Sequence, residues 1–426
     1  MICMDFLHSL HTAQKCREVI MEKKKKKQTW TKRRHKIIQD IARVLLTPYI
    51  KWKYRIQIDR FDQEEDRPYL VLMNHTTAFD QFFVGISFRR PLYYMATEDI
   101  FSLGWISKLL RWAVAPIPIR KQTTDITAVM NCIKVVREGG SIAIAPEGNR
   151  TYSGKTGFMN GAIAPLVKKL KLPVALYRIE GGYGAQPRWS DGVRRGKMHS
   201  YVSRVIQPEE YAAMTNEELL EEIKTGLYVD EAVADEHFYS GKRAEYLERA
   251  MYVCPFCGLS EFESNGAVTE CKQCHRKIHY NTDKTLTGEG FEFPFRFLSD
   301  WYDYQQDFIN ELALSAYTET PLYRDTANVS EVIVYKHKNL LRKNASIALY
   351  GDRIVFDEGT ENQMALPFGQ TDAVTVLGRN KLNIYFGKDI FQLKGGKRFN
   401  ALKYVNIYFR HQNIQRGEEN GKFLGL

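Results

Sequence analysis

The chain has 426 residues, 44% hydrophobic and 26% charged, which are proportions of a folded soluble protein and exclude a disordered or fibrous one. That length exceeds one ordinary core, so two or three domains are expected. The formal net charge of +11 is unevenly placed: 16 of the 61 Lys and Arg but only 5 of the 50 Asp and Glu lie in residues 1–60, which leaves the remainder neutral.

Residues 1–60 open as a basic arm with KKKKK (Lys23 to Lys27) and KRRHK (Lys32 to Lys36). Such an arm seeks a polyanion, either nucleic acid or an anionic membrane surface, or else it is a solvated tail. The stretch Ile37 to Tyr54 then places apolar residues at 37, 38, 41, 45, 46, 49 and 50, a helical stripe with Trp52 and Tyr54 at its end. A membrane-surface helix and a helix packed on the next domain both satisfy that pattern. No uncharged apolar stretch nears the roughly 18 residues that span a bilayer, and no secretory signal pattern opens the chain. Cys3, Cys16 and Cys132 are scattered without a disulfide-framework spacing, which favours a reducing compartment. A peripheral protein on the cytoplasmic face of a membrane is therefore expected.

From about 67 to 180, short apolar runs (YLVLM, PLYYMAT, VAPIPI, SIAIA, PVALYRI) alternate with helical patterns (DQFFVGISF, SLGWISKLLRW, DITAVMNCIKVVRE, NGAIAPLVKKL). This alternation predicts an α/β domain over 61–250 with a mixed, largely parallel sheet flanked by helices. RWSDGVRRGKMHSYVSRVI reads as a hairpin turning near Arg194 to Gly196, with an acidic helix from Asn216. Residues 251–285 form a short cysteine-bearing module, and 286–322 hold an amphipathic linker helix, LSDWYDYQQDFINELAL. Over 323–426 the runs SEVIVYKHK, SIALYGDRIVF, DAVTVLG and KLNIYFGKDIFQL precede a helical NALKYVNIYFRHQ. That order predicts a β-rich domain closed by a terminal helix, similar to a pleckstrin-homology-type fold.

Two knuckles, Cys254 with Cys257 and Cys271 with Cys274, are separated by 13 residues. Each sets two thiolates on one side of a tight turn, and four thiolates complete a closed tetrahedral zinc site, structural rather than catalytic. The module resembles a zinc ribbon. His275 and His279 adjoin the second knuckle, where they could replace a ligand or stand as outer or surface residues.

NHTTAFD (Asn74 to Asp80) leaves the run YLVLM with a His-x4-Asp spacing. Asp80 could orient the His75 imidazole as a general base, or the loop could merely cap a helix. APEGNRT (Ala145 to Thr151) follows SIAIA and supplies a carboxylate, a glycine and an arginine suited to phosphate. VAPIPIRK ends another strand with Arg120. In open α/β sheets ligands gather at such strand ends.

Together these blocks resemble the glycerolipid (lysophospholipid) acyltransferases, of the 1-acylglycerol-3-phosphate O-acyltransferase kind. Asn74-His75-Thr76-Thr77-Ala78-Phe79-Asp80 is similar to the family's first block, and Pro146-Glu147-Gly148-Asn149-Arg150 to its Pro-Glu-Gly-Thr-Arg block. Ile117-Pro118-Ile119-Arg120, Phe158-Met159-Asn160-Gly161 and Pro173-Val174 follow its remaining elements in order. The chain departs from the pattern at Thr77, where serine is usual, at Asn149, and at Met159-Asn160, where a lysine is frequent. The resemblance implies acyl transfer from an acyl thioester, acyl-CoA or acyl carrier protein, to a glycerol hydroxyl of a lysophospholipid, giving phosphatidic acid from 1-acylglycerol-3-phosphate. It implies His75 as base and Asp80 as its orienting partner. Arg120, Glu147, Gly148, Asn149 and Arg150 would bind the substrate, with Glu147 either orienting a glycerol hydroxyl or locking Arg150. An acyltransferase for a non-phosphate lipid acceptor is one alternative. A non-catalytic nucleic-acid or partner-binding adaptor is the other, although the ribbon region is not strongly basic, so nucleic acid is not expected as a partner.

Overall fold

The computed structural model describes residues 30–119, 125–233, 236–333, 336–418 and 424–425. The alternating runs become β1 (Ile56–Ile58), β2 (Leu70–Met73), β3 (Leu92–Thr97), β4 (Ile117–Ile119), β5 (Ser141–Ile144), β6 (Val174–Glu180) and β7 (Met198–Ile206). They form one sheet in the order β1-β7-β6-β2-β5-β3-β4. All pairs are parallel except β6 with β7. LVLM and SIAI are buried at every position, as strands covered by helices on both faces must be. One such helix, Asn216–Leu227, is started by a reciprocal Thr215–Glu218 capping box and buries Leu219, Ile223 and Leu227 against the sheet. Each of those side chains contributes about 1.5–3 kcal/mol of burial. Because Ile56 pairs with Met198, the sheet begins ahead of residue 61.

The stripe of the first helix, Arg33–Tyr54, does two jobs. Ile50 and Tyr54 are buried, Leu46 packs beside them, and His35 Nδ1 lies 3.2 Å from the Tyr93 hydroxyl. On the outer side Ile37, Ile41, Leu45, Tyr49 and Trp52 are exposed, Trp52 by 73%. The helix Trp105–Ala113 likewise exposes Trp105, Ile106, Leu109 and Trp112. No helix among the described residues is long and apolar enough to cross a membrane. The Lys23 to Lys27 run lies outside the described residues.

The expected hairpin around Arg194 is not formed. Only β7 is a strand there, and residues 188–194 run as a connection that buries Arg188, Trp189, Ser190 and Arg194 while Asp191 and Gly192 are exposed. Trp189 meets Tyr280 edge-on, with the Arg194 guanidinium over both rings. Packing against the cysteine module outcompetes strand pairing for this stretch.

That module holds β8 (Val253–Cys254), β9 (Gly258–Leu259), β10 (Phe262–Asn265), β11 (Val268–Cys271), β12 (Lys277–Tyr280) and β13 (Leu286–Gly288). Its sheet runs past residue 285 because Leu286 pairs with Tyr280. The helix Leu298–Glu311 is packed rather than spanning: Trp301 is fully buried and its indole donates to the Val253 carbonyl at 2.9 Å.

The C-terminal strands are β14 (Tyr323–Ile333), β15 (His337–Leu349), β16 (Arg353–Phe356), β17 (Met364–Pro367), β18 (Ala373–Leu377), β19 (Lys381–Phe386) and β20 (Asp389–Gly395). They make an antiparallel sheet ordered β17-β16-β15-β14-β20-β19-β18, with the helix Leu402–Gln415 packed on it. SIALYGDRIVF and KLNIYFGKDIFQL each fold as two strands about a turn. One continuous core joins Tyr152 and Trp189 of the first domain to the cysteine module and to this sheet.

Candidate active site

The loops after β2, β5 and β6 leave the same edge of the sheet, since these three strands are parallel. The Asn74 side chain ties two of them: its amide donates to the Ile179 carbonyl at 2.9 Å and its oxygen accepts from Ile179 N at 2.8 Å.

His75 Nδ1 lies 2.7 Å from Asp80 Oδ2. The same fully buried carboxylate accepts from the Thr76 and Thr77 amides and, at 2.6 Å, from the Thr77 hydroxyl. The loop is thus no helix cap. The helix Asp80–Ser87 has Phe79 at its N-cap with no side-chain bond there, and Asp80 instead folds back on the loop that carries His75. A carboxylate so placed can accept a hydrogen bond from Nδ1–H, the tautomer in which Nε2 carries no proton. The His75 side chain is 26% exposed. Burial lowers its pKa below the ordinary histidine value against the pull of Asp80, and Arg150 and Arg188 add to the lowering. The imidazole is therefore neutral near pH 7.

Glu147 does not lock Arg150. Its two oxygens accept from His75 N at 2.8 Å and Gly157 N at 2.7 Å, so it clasps the base loop to a third segment. Burial raises its pKa to about 8, opposed by those two backbone bonds. Gly148 has a φ of +67°, a conformation that favours glycine, and a Cβ there would meet no protein atom within 4 Å. Asn149 accepts from Arg188 at 3.4 Å. The Arg150 side chain has a buried nitrogen, NH1, without a hydrogen-bond partner. Burial lowers its pKa to about 10, with Arg188 and Arg379 repelling the charge further. Arg120 lies outside the described residues.

Met159 is buried in the core, while Asn160 is exposed and accepts from the Ala162 amide. Sequence reasoning missed Arg188, Arg379, Tyr54 and Gln186. The Tyr54 hydroxyl donates to Gln186 at 2.9 Å, and its pKa is raised by burial and by Asp80. None of the four sits in a spacing motif.

The sulfurs of Cys254, Cys257, Cys271 and Cys274 all lie within 4.8 Å of one another. Cys254 and Cys274 are 3.8 Å apart, and Cys257 and Cys271 3.6 Å. A tetrahedron with Zn–S bonds of about 2.3 Å has edges of about 3.8 Å. The cluster fits a four-thiolate metal ion. His275 and His279 point instead to Glu270 and Glu289.

Residues 55–177 match the family model described as Acyltransferase. This span runs from the start of the sheet into β6 and contains His75, Asp80 and the Glu147–Arg150 loop, so the chain carries an acyltransferase-family domain. It is similar to the chloroplastic 1-acyl-sn-glycerol-3-phosphate acyltransferase of Arabidopsis thaliana, 20% identical over 190 residues, 43% of this chain and 52% of that protein. It is 21% identical over 156 residues to the 1-acyl-sn-glycerol-3-phosphate acyltransferase of Bacillus subtilis, covering 36% of this chain and 75% of that one. Thus the chain spans about half the length of the Arabidopsis relative and three quarters of the Bacillus one. Among solved structures it is similar to the 1-acyl-sn-glycerophosphate acyltransferase of Thermotoga maritima, at a TM-score of 0.37 and 17% identity over 45% of this chain and 75% of that one.

Proposed function

We propose that this protein transfers a fatty acyl group from acyl-CoA or acyl carrier protein to a glycerol hydroxyl of a lysophospholipid, with 1-acylglycerol-3-phosphate the preferred acceptor and phosphatidic acid the product. The observation that carries the reading is the 2.7 Å bond between His75 and Asp80, made at the sheet edge that also bears Arg150. His75 Nε2 removes the hydroxyl proton as the oxygen attacks the thioester carbonyl. The C–S bond then breaks, and the imidazolium returns the proton to the departing thiolate. A positioned base of this kind contributes about 10²–10⁴-fold, or roughly 3–5 kcal/mol of barrier. Asp80 fixes the tautomer, and Arg150 binds the acceptor phosphate with its unpartnered nitrogen. Glu147 acts on the base by holding its backbone.

Zinc, bound by Cys254, Cys257, Cys271 and Cys274, would hold the ribbon's fold and leave no open position for chemistry. The exposed apolar sides of the two helices, flanked by Arg33, Lys36, Lys51, Lys53 and Lys108, suit an anionic bilayer on the cytoplasmic side. Each near-surface cation adds about 1 kcal/mol there.

The test incubates purified protein with labelled acyl-CoA or acyl carrier protein and a panel of lysophospholipids, beside a His75→Ala variant. Histidine-dependent transfer is expected. Absence of transfer from either donor, in folded zinc-loaded protein, refutes the reading.

A further inference from the structure

The acceptor site as read above ends at Arg150, yet the cationic chemistry around that residue continues into a domain the family match does not cover. Arg188, only 3% exposed, joins three segments through its guanidinium. It donates to the Arg150 carbonyl at 2.9 Å and to Asn149 Oδ1 at 3.4 Å. On its other side it donates to the carbonyls of Gly378 at 3.3 Å and Val376 at 3.4 Å, which belong to β18 and the turn after it. Its plane also lies 4.5 Å from the Tyr152 ring centre. All these acceptors are neutral, and among the described residues neither Arg188 nor Arg150 has a carboxylate within ion-pair distance. Arg379, on the same turn, reaches Asp191 at 3.3 Å, but Asp191 already pairs with the buried Arg249 at 2.6 Å. The charges of Arg188 and Arg379 both act on Arg150. Arg188 thus holds the turn that carries Arg379 against the loop that carries Arg150, whose charge is offset in part by Asp80, and cations gathered in a partly buried place favour an anionic ligand.

We propose that the turn between β18 and β19 is a wall of the acceptor site. Arg379 on that turn joins Arg150 as a second cation for a phosphate monoester, and Arg188, whose guanidinium is engaged by protein oxygens, is the positioning residue that keeps turn and loop in register. The C-terminal domain then completes the phosphate site instead of standing apart from it. This rests on the reading of the Glu147–Arg150 loop as the acceptor-phosphate loop.

The test uses the full chain as wild type, Arg379→Ala and Arg188→Lys. It measures glycerol 3-phosphate binding by calorimetry, kcat and KM for lysophosphatidate, KM for the acyl donor, and the melting temperature. Arg379→Ala should weaken glycerol 3-phosphate binding and raise the lysophosphatidate KM by about 3- to 10-fold, with a smaller change in kcat and none in the donor KM. The difference should shrink at high salt, as for any charge contact that water reaches. Arg188→Lys keeps the charge but cannot fork to four oxygens, so KM should rise and kcat fall together while the protein still melts cooperatively. Unchanged binding and KM in Arg379→Ala, or wild-type kinetics in Arg188→Lys, would overturn the proposal. Arg379-dependent binding without acyl transfer refutes the acyltransferase reading and leaves this inference standing. Transfer indifferent to Arg379 does the reverse, and a wild type that neither binds glycerol 3-phosphate nor transfers refutes both.

Discussion

Replacing Asp80 with asparagine changes one atom of a carboxylate that serves four donors. Asp80 accepts from His75 Nδ1, the Thr76 amide, the Thr77 amide and the Thr77 hydroxyl. Asparagine keeps one oxygen and turns the other into a donor that must face donors. If the amide nitrogen faces His75, the imidazole adopts the other tautomer and Nε2 carries the proton it should accept. The same change of tautomer in a histidine–aspartate pair costs about 10⁴-fold in kcat, or roughly 5.5 kcal/mol of barrier. If the amide nitrogen takes the Oδ1 position instead, it faces the Thr77 amide and hydroxyl, and a buried donor loses an acceptor at about 1–3 kcal/mol of stability. Labelled acyl transfer to lysophosphatidate measures the first loss, and thermal melting the second. In the wild type, activity should fall as pH drops through a His75 pKa that lies below the ordinary histidine value. Stability should fall in the same direction. The unfolded chain protonates first, so the histidine's share is full above about 6.5 and is lost as pH falls from there toward the folded pKa. An Asp80→Asn protein within tenfold of wild-type kcat would refute the assignment of Asp80 as the group that sets the tautomer.

Measured above about pH 8, where the carboxylate is ionised, Glu147→Gln should reduce stability by about 1–3 kcal/mol, because one of two amide donors, His75 N or Gly157 N, then meets an NH2 group; a melt equal to wild type would contradict the clasp. Metal analysis should find about one zinc per chain, and Cys257→Ser should lose it. The same variant should broaden the melt of the core that the ribbon shares with both neighbours, and retained zinc would overturn the four-thiolate site. Trp105→Glu combined with Leu109→Glu should cut sedimentation with anionic vesicles by more than about tenfold, since both side chains are exposed and apolar. Unaltered sedimentation would remove that helix from the membrane face.

What the sequence discloses about the site is what lies within a few residues. His75 and Asp80 share one loop, and the four cysteines come as two local pairs, so spacing alone brings their side chains together. The sheet was equally legible, since YLVLM and SIAIA are apolar at nearly every position, as strands buried on both faces must be. Arg188 and Arg379 could not be found this way. Arg188 meets the Arg150 loop from a segment distant in sequence and Arg379 lies on a turn of the C-terminal domain that Arg188 holds, and nothing in PRWSDG or LGRNK marks either placement. Glu147 was placed in the right loop with the wrong partner, because two backbone amides distant in sequence compete for it better than the nearby arginine does. The misread hairpin has a similar cause: Gly, Asp and Arg signal a turn, but the burial of Trp189 under Tyr280 is a tertiary effect.

The exposed aromatic and aliphatic side chains bear on kinetics as well as on adhesion. The helix Trp105–Ala113 follows β3, and the first helix ends at β1, so Trp105 and Trp52 both belong to segments that meet the sheet at the edge where His75 stands. A catalyst seated on a bilayer by that edge samples its acceptor in two dimensions. Its rate would follow the mole fraction of lysolipid in the leaflet rather than the amount in the tube. Diluting the substrate with inert lipid at constant bulk concentration should slow it, while diluting the whole suspension with buffer should not.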